Sequence, residues 1–237
     1  MEWVCGVVVD VDGTLTEDRA SGSYILDLEA VLLLRKLESA GIPVILATGN
    51  SAPVTAGLAR YMGLSSPHVS ENGCVVVRRG RIVPACTETA KTAAEAIEDF
   101  LREVLRPSWQ NSCRLFDYAY TIVSQDPLVV VREARRVVDE RGLRAKVSFS
   151  GYALHVRPPD ASKGTGIRVA LNMLGIEPDC VVAVGDSAID AEMKEAGVYL
   201  VAVGNADDEL KSVADEIAEG PSSTATKRVL RRILSSL

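Results

Sequence analysis

The run Val4-Cys5-Gly6-Val7-Val8-Val9 constrains the fold more than any other stretch of the chain. It is apolar without alternation, and a strand of that kind has to be covered on both faces, as in a parallel sheet between layers of helix. It stops abruptly at the polar sequence Asp10-Val11-Asp12-Gly13-Thr14.

The same rhythm continues. Asp27 is an N-cap for a predicted helix through Ala40, with Gly41 as its stop, and Ile42–Ala47 follows as a strand. Ser51 and Pro53 open a helix that closes at Gly63. A short strand His68–Ser70 then precedes a hairpin, Cys74–Val77 and Arg81–Val83, turning at Arg79-Gly80. From Pro84 the pattern becomes α+β: a helix Glu88–Leu105, a strand Tyr118–Val123, a helix Pro127–Arg141, and strand-like segments Ala145–Phe149 and Ala153–Arg157. After Pro158-Pro159 the first rhythm returns, with a helix Gly164–Leu174, a strand Cys180–Val184, a helix around Ala191–Ala196, a strand Tyr199–Val203 and two further helices. The expected fold is α/β: a doubly wound, Rossmann-like parallel sheet from residues 1–83 and 158–237, interrupted by a small α+β insert, residues 84–157.

Composition supports this and excludes alternatives. With 237 residues, 47% hydrophobic and 24% charged, the chain can bury a full core plus an insertion. The strongest apolar runs, such as Ala30–Leu34 and Val181–Val184, fall far short of the roughly 18 residues of a membrane span. The opening Met-Glu-Trp-Val-Cys-Gly lacks the features of a signal peptide, so a cytoplasmic protein is expected. A balance of 32 acidic to 26 basic residues argues against a dedicated nucleic-acid binder. The basic group Lys227, Arg228, Arg231 and Arg232 reads as the polar face and C-terminal end of a last helix. The five cysteines form no C-x-x-C pair and there are two histidines, so a zinc site is not expected. Most cysteines read as buried small hydrophobes, with a Cys74–Cys86 bridge left open for a hyperthermophilic source.

In open α/β sheets, ligands bind beyond the carboxyl ends of the strands. There the chain places Asp10 and Asp12, then Thr48-Gly49-Asn50, then Gly185-Asp186-Ser187-Ala188-Ile189-Asp190, and a helix opening with Ser162-Lys163-Gly164. Each piece alone is ordinary, since Asp and Gly are common where strands turn. Together they are not. At ~4 Å and an effective dielectric near ~20, each like-charge pair costs on the order of 4 kcal/mol. Such a cluster needs a cation, and hard oxygen ligands with room for water suit Mg²⁺.

These motifs, in this order, resemble the haloacid dehalogenase superfamily of phosphatases, and the insert lies where that superfamily carries its C2-type cap. The small insert, Thr48-Gly49-Asn50, Glu71-Asn72-Gly73 and the length are most similar to archaeal-type phosphoglycolate phosphatases. The resemblance implies Asp10 as nucleophile and Asp12 as general acid and base. It implies Thr48, Gly49 and Lys163 around the phosphoryl group, with Thr14 bracing the loop and orienting Asp12. Mg²⁺ would be held by Asp10, the Asp12 backbone carbonyl, Asp186 and, directly or through water, Asp190. Ser187 would help to position Asp186 or a metal-bound water. Where many relatives have Asn before the last aspartate, this chain has Ile189.

The implied reaction is hydrolysis of a small phosphorylated metabolite, 2-phosphoglycolate foremost. A sugar-phosphate phosphatase, a phosphomutase and, further off, a receiver-like phospho-acceptor domain are the alternatives. A carboxylate at Asp12 favours hydrolysis over a long-lived phosphoprotein. Candidate substrate contacts in the insert are Arg114, Tyr118, Tyr120, Tyr152, His155 and Arg157, each equally readable as packing. His68 reads as core. Neither a nucleic acid nor a membrane is an expected partner; a homo-oligomer is possible in such enzymes, though no segment marks an interface.

Overall fold

A computed structural model describes residues 3–17 and 24–237. The polar loop between the first strand and the first helix is therefore described only up to Glu17 and from Tyr24, and Met1 and Glu2 lie outside the described residues. The valine run becomes β1 (Gly6–Val9), with Val7, Val8 and Val9 wholly buried. α1 (Leu28–Ser39) starts at Asp27, whose carboxylate accepts from the Glu29 and Ala30 backbone N–H groups, and β2 (Val44–Leu46) follows. α2 (Ala52–Met62) ends at Gly63 in the left-handed region, and β3 (His68–Ser70), β4 (Val75–Arg78) and β5 (Arg81–Pro84) form an antiparallel sheet.

The middle of the chain makes its own sheet. α3 (Lys91–Phe100), β6 (Leu105–Pro107), β7 (Tyr118–Ile122), α4 (Pro127–Glu140), β8 (Lys146–Phe149) and β9 (Leu154–Arg157) give a four-stranded sheet of order β6-β7-β9-β8. Ile97, Leu105, Tyr120, Val130 and Leu154 contribute to a separate apolar core beneath it. The chain then returns through α5 (Lys163–Leu174), β10 (Val181–Gly185), β11 (Tyr199–Val203), α6 (Asp208–Val213), β12 (Glu216–Ala218) and α7 (Ser222–Leu234).

The large sheet is parallel, in the order β12-β11-β10-β1-β2. β1 therefore has its sequence neighbour on one side and β10 on the other, which makes its carboxyl end a topological switch point. Register does the rest. Val9 lies opposite Leu46 on β2 and Val184 on β10, so Asp10, Thr48 and Asp186 emerge along one rim. An Ala47–Val69 bridge carries this sheet on into the β3-β4-β5 unit.

Four sequence expectations need correction. The helix expected over Glu88–Leu105 is confined to Lys91–Phe100, and Leu105–Pro107 instead pairs with β7 as an edge strand. Burial of Leu105 in the insert's core decides this over local helical pattern, and an edge position tolerates Pro107. The segment around Ala191–Ala196 is a 3₁₀ stretch, Ala188–Ala196, stopped by Gly197 at positive φ. β12 was not expected. Nor are most cysteines unbridged small hydrophobes: Cys5 bonds Cys180 across the starts of β1 and β10, while the Cys74–Cys86 bridge that the sequence left open is formed at the foot of the hairpin. Cys113 is the free thiol.

The basic group on α7 is a partnered face. Lys227 meets Asp27 and Glu29, Arg228 meets Glu219, Arg231 meets Glu29, and Arg232 meets Glu216. Among the described residues, no helix is long and apolar enough to cross a membrane.

Candidate active site

β1 delivers Asp10 to the rim with its backbone N–H still bonded to the Val184 carbonyl of β10, at 3.0 Å. The turn after it is tight: Leu15 N–H returns to the Val11 carbonyl at 2.8 Å, and Gly13 N–H donates to Thr16 Oγ1 at 2.8 Å. Gly13 has φ of +90°, and a Cβ there would sit 2.2 Å from Asp186 Oδ2. Only glycine allows the turn and the aspartate to coexist.

Lys163 is the first residue of α5, behind the Ser162 N-cap. Its Nζ donates to Asp10 Oδ1 at 2.6 Å, to Asp190 Oδ1 at 2.5 Å and to the Ala47 carbonyl at 2.9 Å. The other Asp190 oxygen accepts from Asp186 N–H, Ser187 N–H and the Ser187 hydroxyl, at 3.0, 2.9 and 3.0 Å. Ser187 thus braces Asp190. Thr14 donates to Asp186 Oδ1 at 3.1 Å, so it supports Asp186 where the sequence pointed to Asp12.

Carboxylate oxygens of Asp10, Asp186 and Asp190 fall within 4.8 Å of one another. The three residues are 5%, 0% and 0% exposed, and Lys163 is 2% exposed. Burial pushes the Asp10 carboxyl well above its ordinary range; Lys163 opposes that shift, while Asp190, Asp186 and Asp12 add to it. Burial also disfavours the charge on Lys163, yet Asp10 and Asp190 outweigh it and keep the amine protonated. One ammonium among three buried carboxylates leaves a negative excess. Hard oxygen donors crowded this closely fit a small divalent cation such as Mg²⁺, which would relieve that excess.

The Asp12 side chain is not in this cluster. Its Oδ2 accepts from Asn50 Nδ2 at 2.9 Å, and burial raises its pKa while the Asn50 bond lowers it. Thr48 is fully buried, and its Oγ1 accepts from the Asn50 backbone N–H at 3.1 Å and from Asn50 Nδ2 at 2.9 Å, leaving its own proton available. A Cβ on Gly49 would approach Asn72 Oδ1 to 3.0 Å and His155 Cε1 to 3.1 Å, so a bare backbone is needed between rim and insert.

A cavity of about 340 Å³ lies over these groups, with Asp10, Asp12, Gly49, Asn50 and Lys163 on its floor and residues of the four-stranded sheet and its loops above. Of the insert candidates, Arg114, Tyr120, Tyr152 and His155 line it. Tyr118 does not, and Arg157 instead forms a two-pronged pair with Glu192, at 2.9 Å for each prong. Tyr120 is pinned by its hydroxyl to Ala94 and Glu98. His68 is buried at a core strand, accepting the Leu46 N–H at 3.2 Å, and burial lowers its pKa to about 4.

Sequence reasoning singled out Arg114, His155 and Glu71-Asn72-Gly73 separately but missed Asp117, which joins them in a polar seam beside the cavity. Arg114 bonds Asp117 Oδ1 at 2.6 Å and the Gly49 carbonyl at 2.8 Å. Asp117 also meets Asn72 at 2.5 Å and His155 at 3.2 Å. Glu71 accepts from the Leu115, Phe116 and Asp117 backbone N–H groups. Asn72 has φ of +51°, and Glu71-Asn72-Gly73, already singled out in the sequence, is the local signal at this corner.

A profile described as haloacid dehalogenase-like hydrolase matches residues 7–126 and 132–226. The chain is similar to phosphoglycolate phosphatase of Metallosphaera sedula, 42% identical over 88% of this chain and 89% of that one. It is 36% identical to phosphoglycolate phosphatase 1 of Saccharolobus solfataricus over 96% and 95% of the two chains. A solved structure from Thermoplasma acidophilum shares the fold with a TM-score of 0.82, at 23% identity and 99% coverage of both chains. On the matched length and the curated relatives together, the chain belongs to the haloacid dehalogenase-like hydrolase family.

Proposed function

We propose that the chain hydrolyses small phosphomonoesters, 2-phosphoglycolate foremost, by passing the phosphoryl group through Asp10 in a Mg²⁺-dependent reaction. The observation that carries this reading is the buried trio Asp10, Asp186 and Asp190 at the switch point of the sheet, with Lys163 bonded to Asp10 and Asp190, and with Asp10 and Lys163 lining the cavity. The relatives named above are phosphoglycolate phosphatases, and they match nearly the whole chain.

Asp10 and Asp186, with the Asp12 backbone carbonyl, would hold the cation. Asp190 already gives one oxygen to the Ser187 loop and the other to Lys163, so its part is to fix both from behind or to act through water. When bound, Mg²⁺ neutralises phosphoryl oxygens as charge develops on them. An Asp10 oxygen forms a bond to phosphorus as the ester P–O bond breaks, and Asp12 gives its proton to the departing alkoxide. Asp12 then takes a proton from water; the water oxygen bonds phosphorus, and the Asp10–phosphoryl bond breaks to release phosphate. Lys163 and the Thr48 hydroxyl supply a fixed cation and a donor for phosphoryl oxygens. Residues 84–157 act in this scheme as a cap that encloses the leaving group. Arg114 and Lys163 are the Lys or Arg residues among the described lining residues, and the glycolate carboxylate is assigned to the Arg114 side. The proposed setting is the cytoplasm.

A phosphate-release screen over small phosphorylated acids and sugars tests this, run with Mg²⁺ and repeated with a chelator. We expect 2-phosphoglycolate to give the highest kcat/KM, and chelation to abolish release from every substrate. Preference for a sugar phosphate would move the substrate assignment alone. Undiminished release under chelation would overturn the metal-dependent mechanism.

A further inference from the structure

Two side-chain amides connect the insert to Asp12, and their polarity is set by a backbone group. The Ser51 N–H can only donate, and it donates to Gln110 Oε1 at 2.8 Å. That fixes which end of the Gln110 amide is oxygen. Its Nε2 end then faces Asn50 and donates to Oδ1 at 2.8 Å. Asn50 is oriented in turn, so its Nδ2 carries both of its hydrogens to acceptors: Asp12 Oδ2 at 2.9 Å and Thr48 Oγ1 at 2.9 Å. Neither amide can flip without turning a donor–acceptor contact into two like groups facing each other.

The two ends belong to different bodies. Asn50 follows β2 in the parallel sheet, whereas Gln110 sits in a 3₁₀ turn, Trp109–Cys113, between β6 and β7. That turn is tied to β7 by Asn111, which exchanges two hydrogen bonds with Ala119, each 3.0 Å. The position of Gln110 therefore follows the position of the four-stranded sheet.

We propose that Gln110 is a positioning residue which, through Asn50, aims the Asp12 carboxyl at the leaving-group oxygen and makes that aim depend on the seating of the insert over the site. The proposal rests on the reading that Asp12 handles the leaving-group proton. It accounts for the Asp12 carboxyl standing outside the Asp10, Asp186 and Asp190 cluster and being held instead by Asn50. It also gives Asn50 a role distinct from the one proposed for Thr48 beside it.

The test uses leaving groups. A nitrophenolate departs without a proton, while an alkoxide needs one, so misplacing the acid is felt on alkyl esters. Gln110→Glu keeps the shape and the acceptor for Ser51 N–H but removes the donor to Asn50; Gln110→Met keeps the shape and neither bond. For both variants we expect kcat/KM on the best alkyl phosphate to fall about tenfold or more, and on p-nitrophenyl phosphate by less than about threefold. Asp12→Ala should show the same selectivity more strongly, and the melting temperatures of the Gln110 variants show whether they remain folded. An equal loss on both esters, or no loss on the alkyl ester, overturns the relay and leaves the phosphatase reading standing. A wild-type chain that cleaves neither ester, or an Asp12→Ala variant with no selectivity, overturns the reading on which the relay rests.

Discussion

The molecule buries two clusters of charge that each reach the same cavity, and they are balanced differently. At the rim, Asp10, Asp186 and Asp190 share the single ammonium of Lys163. At the seam, Arg114 is matched to Asp117, and Glu71 to three backbone N–H groups. Burial has opposite outcomes in the two places. It raises Asp10, where like charges compound it, whereas at Asp117 the Arg114, His155 and Asn72 contacts overcome it and hold the carboxyl at about 2. A matched buried cluster fixes geometry; an unmatched one carries an excess charge that a bound cation would offset.

The comparison breaks most visibly at Asp10. Asp10→Asn should lower phosphate release by about 10³-fold or more, since the group that forms the covalent bond is lost. Its melting temperature in metal-free buffer should be unchanged or higher, because one of three repelling carboxylates is gone. A large loss of stability without loss of turnover would place Asp10 with the seam.

The seam should respond in the opposite sense. Arg114→Ala strands Asp117, an uncompensated buried charge, at a cost of about 3–5 kcal/mol. For a chain of this length that lowers the melting temperature on the order of 10 °C. pH sharpens the contrast. The depressed Asp117 contributes stability that is full above its unfolded value and lost as pH falls toward about 2, so an acid limb should be present in the wild type and flattened in Asp117→Asn. The raised Asp10 works the other way: without metal, stability falls as pH rises from its unfolded value through its folded one. Thermal unfolding across pH, with chelator present, reads both limbs.

Legibility in the sequence followed the same division. Asp10 and Asp186 directly follow the last residue of a strand, Lys163 opens a helix, and Asp190 lies in the turn a few residues beyond Asp186, so a reading of strands and helices was enough to bring them together. Asn50 and Gln110 are 60 residues apart, and their contact depends on how the insert docks, which no local pattern encodes. Arg114 was legible as a candidate substrate contact, but its burial against Asp117 and Gly49 was not. The Cys5–Cys180 bridge spans 175 residues and follows from the β1–β10 register. β6 stayed hidden because Leu105-Arg106-Pro107 is too short and too proline-bound to show a strand period.

The most direct test is a calorimetric titration of Mg²⁺ into the metal-free protein near neutral pH, with Asp186→Asn and Arg114→Ala run alongside. One Mg²⁺ should bind per chain, binding should be lost in Asp186→Asn, and it should persist in folded Arg114→Ala. Absence of binding by the wild type, or binding that survives Asp186→Asn and vanishes with Arg114→Ala, would contradict the assignment of the unmatched charge to the metal-dependent site.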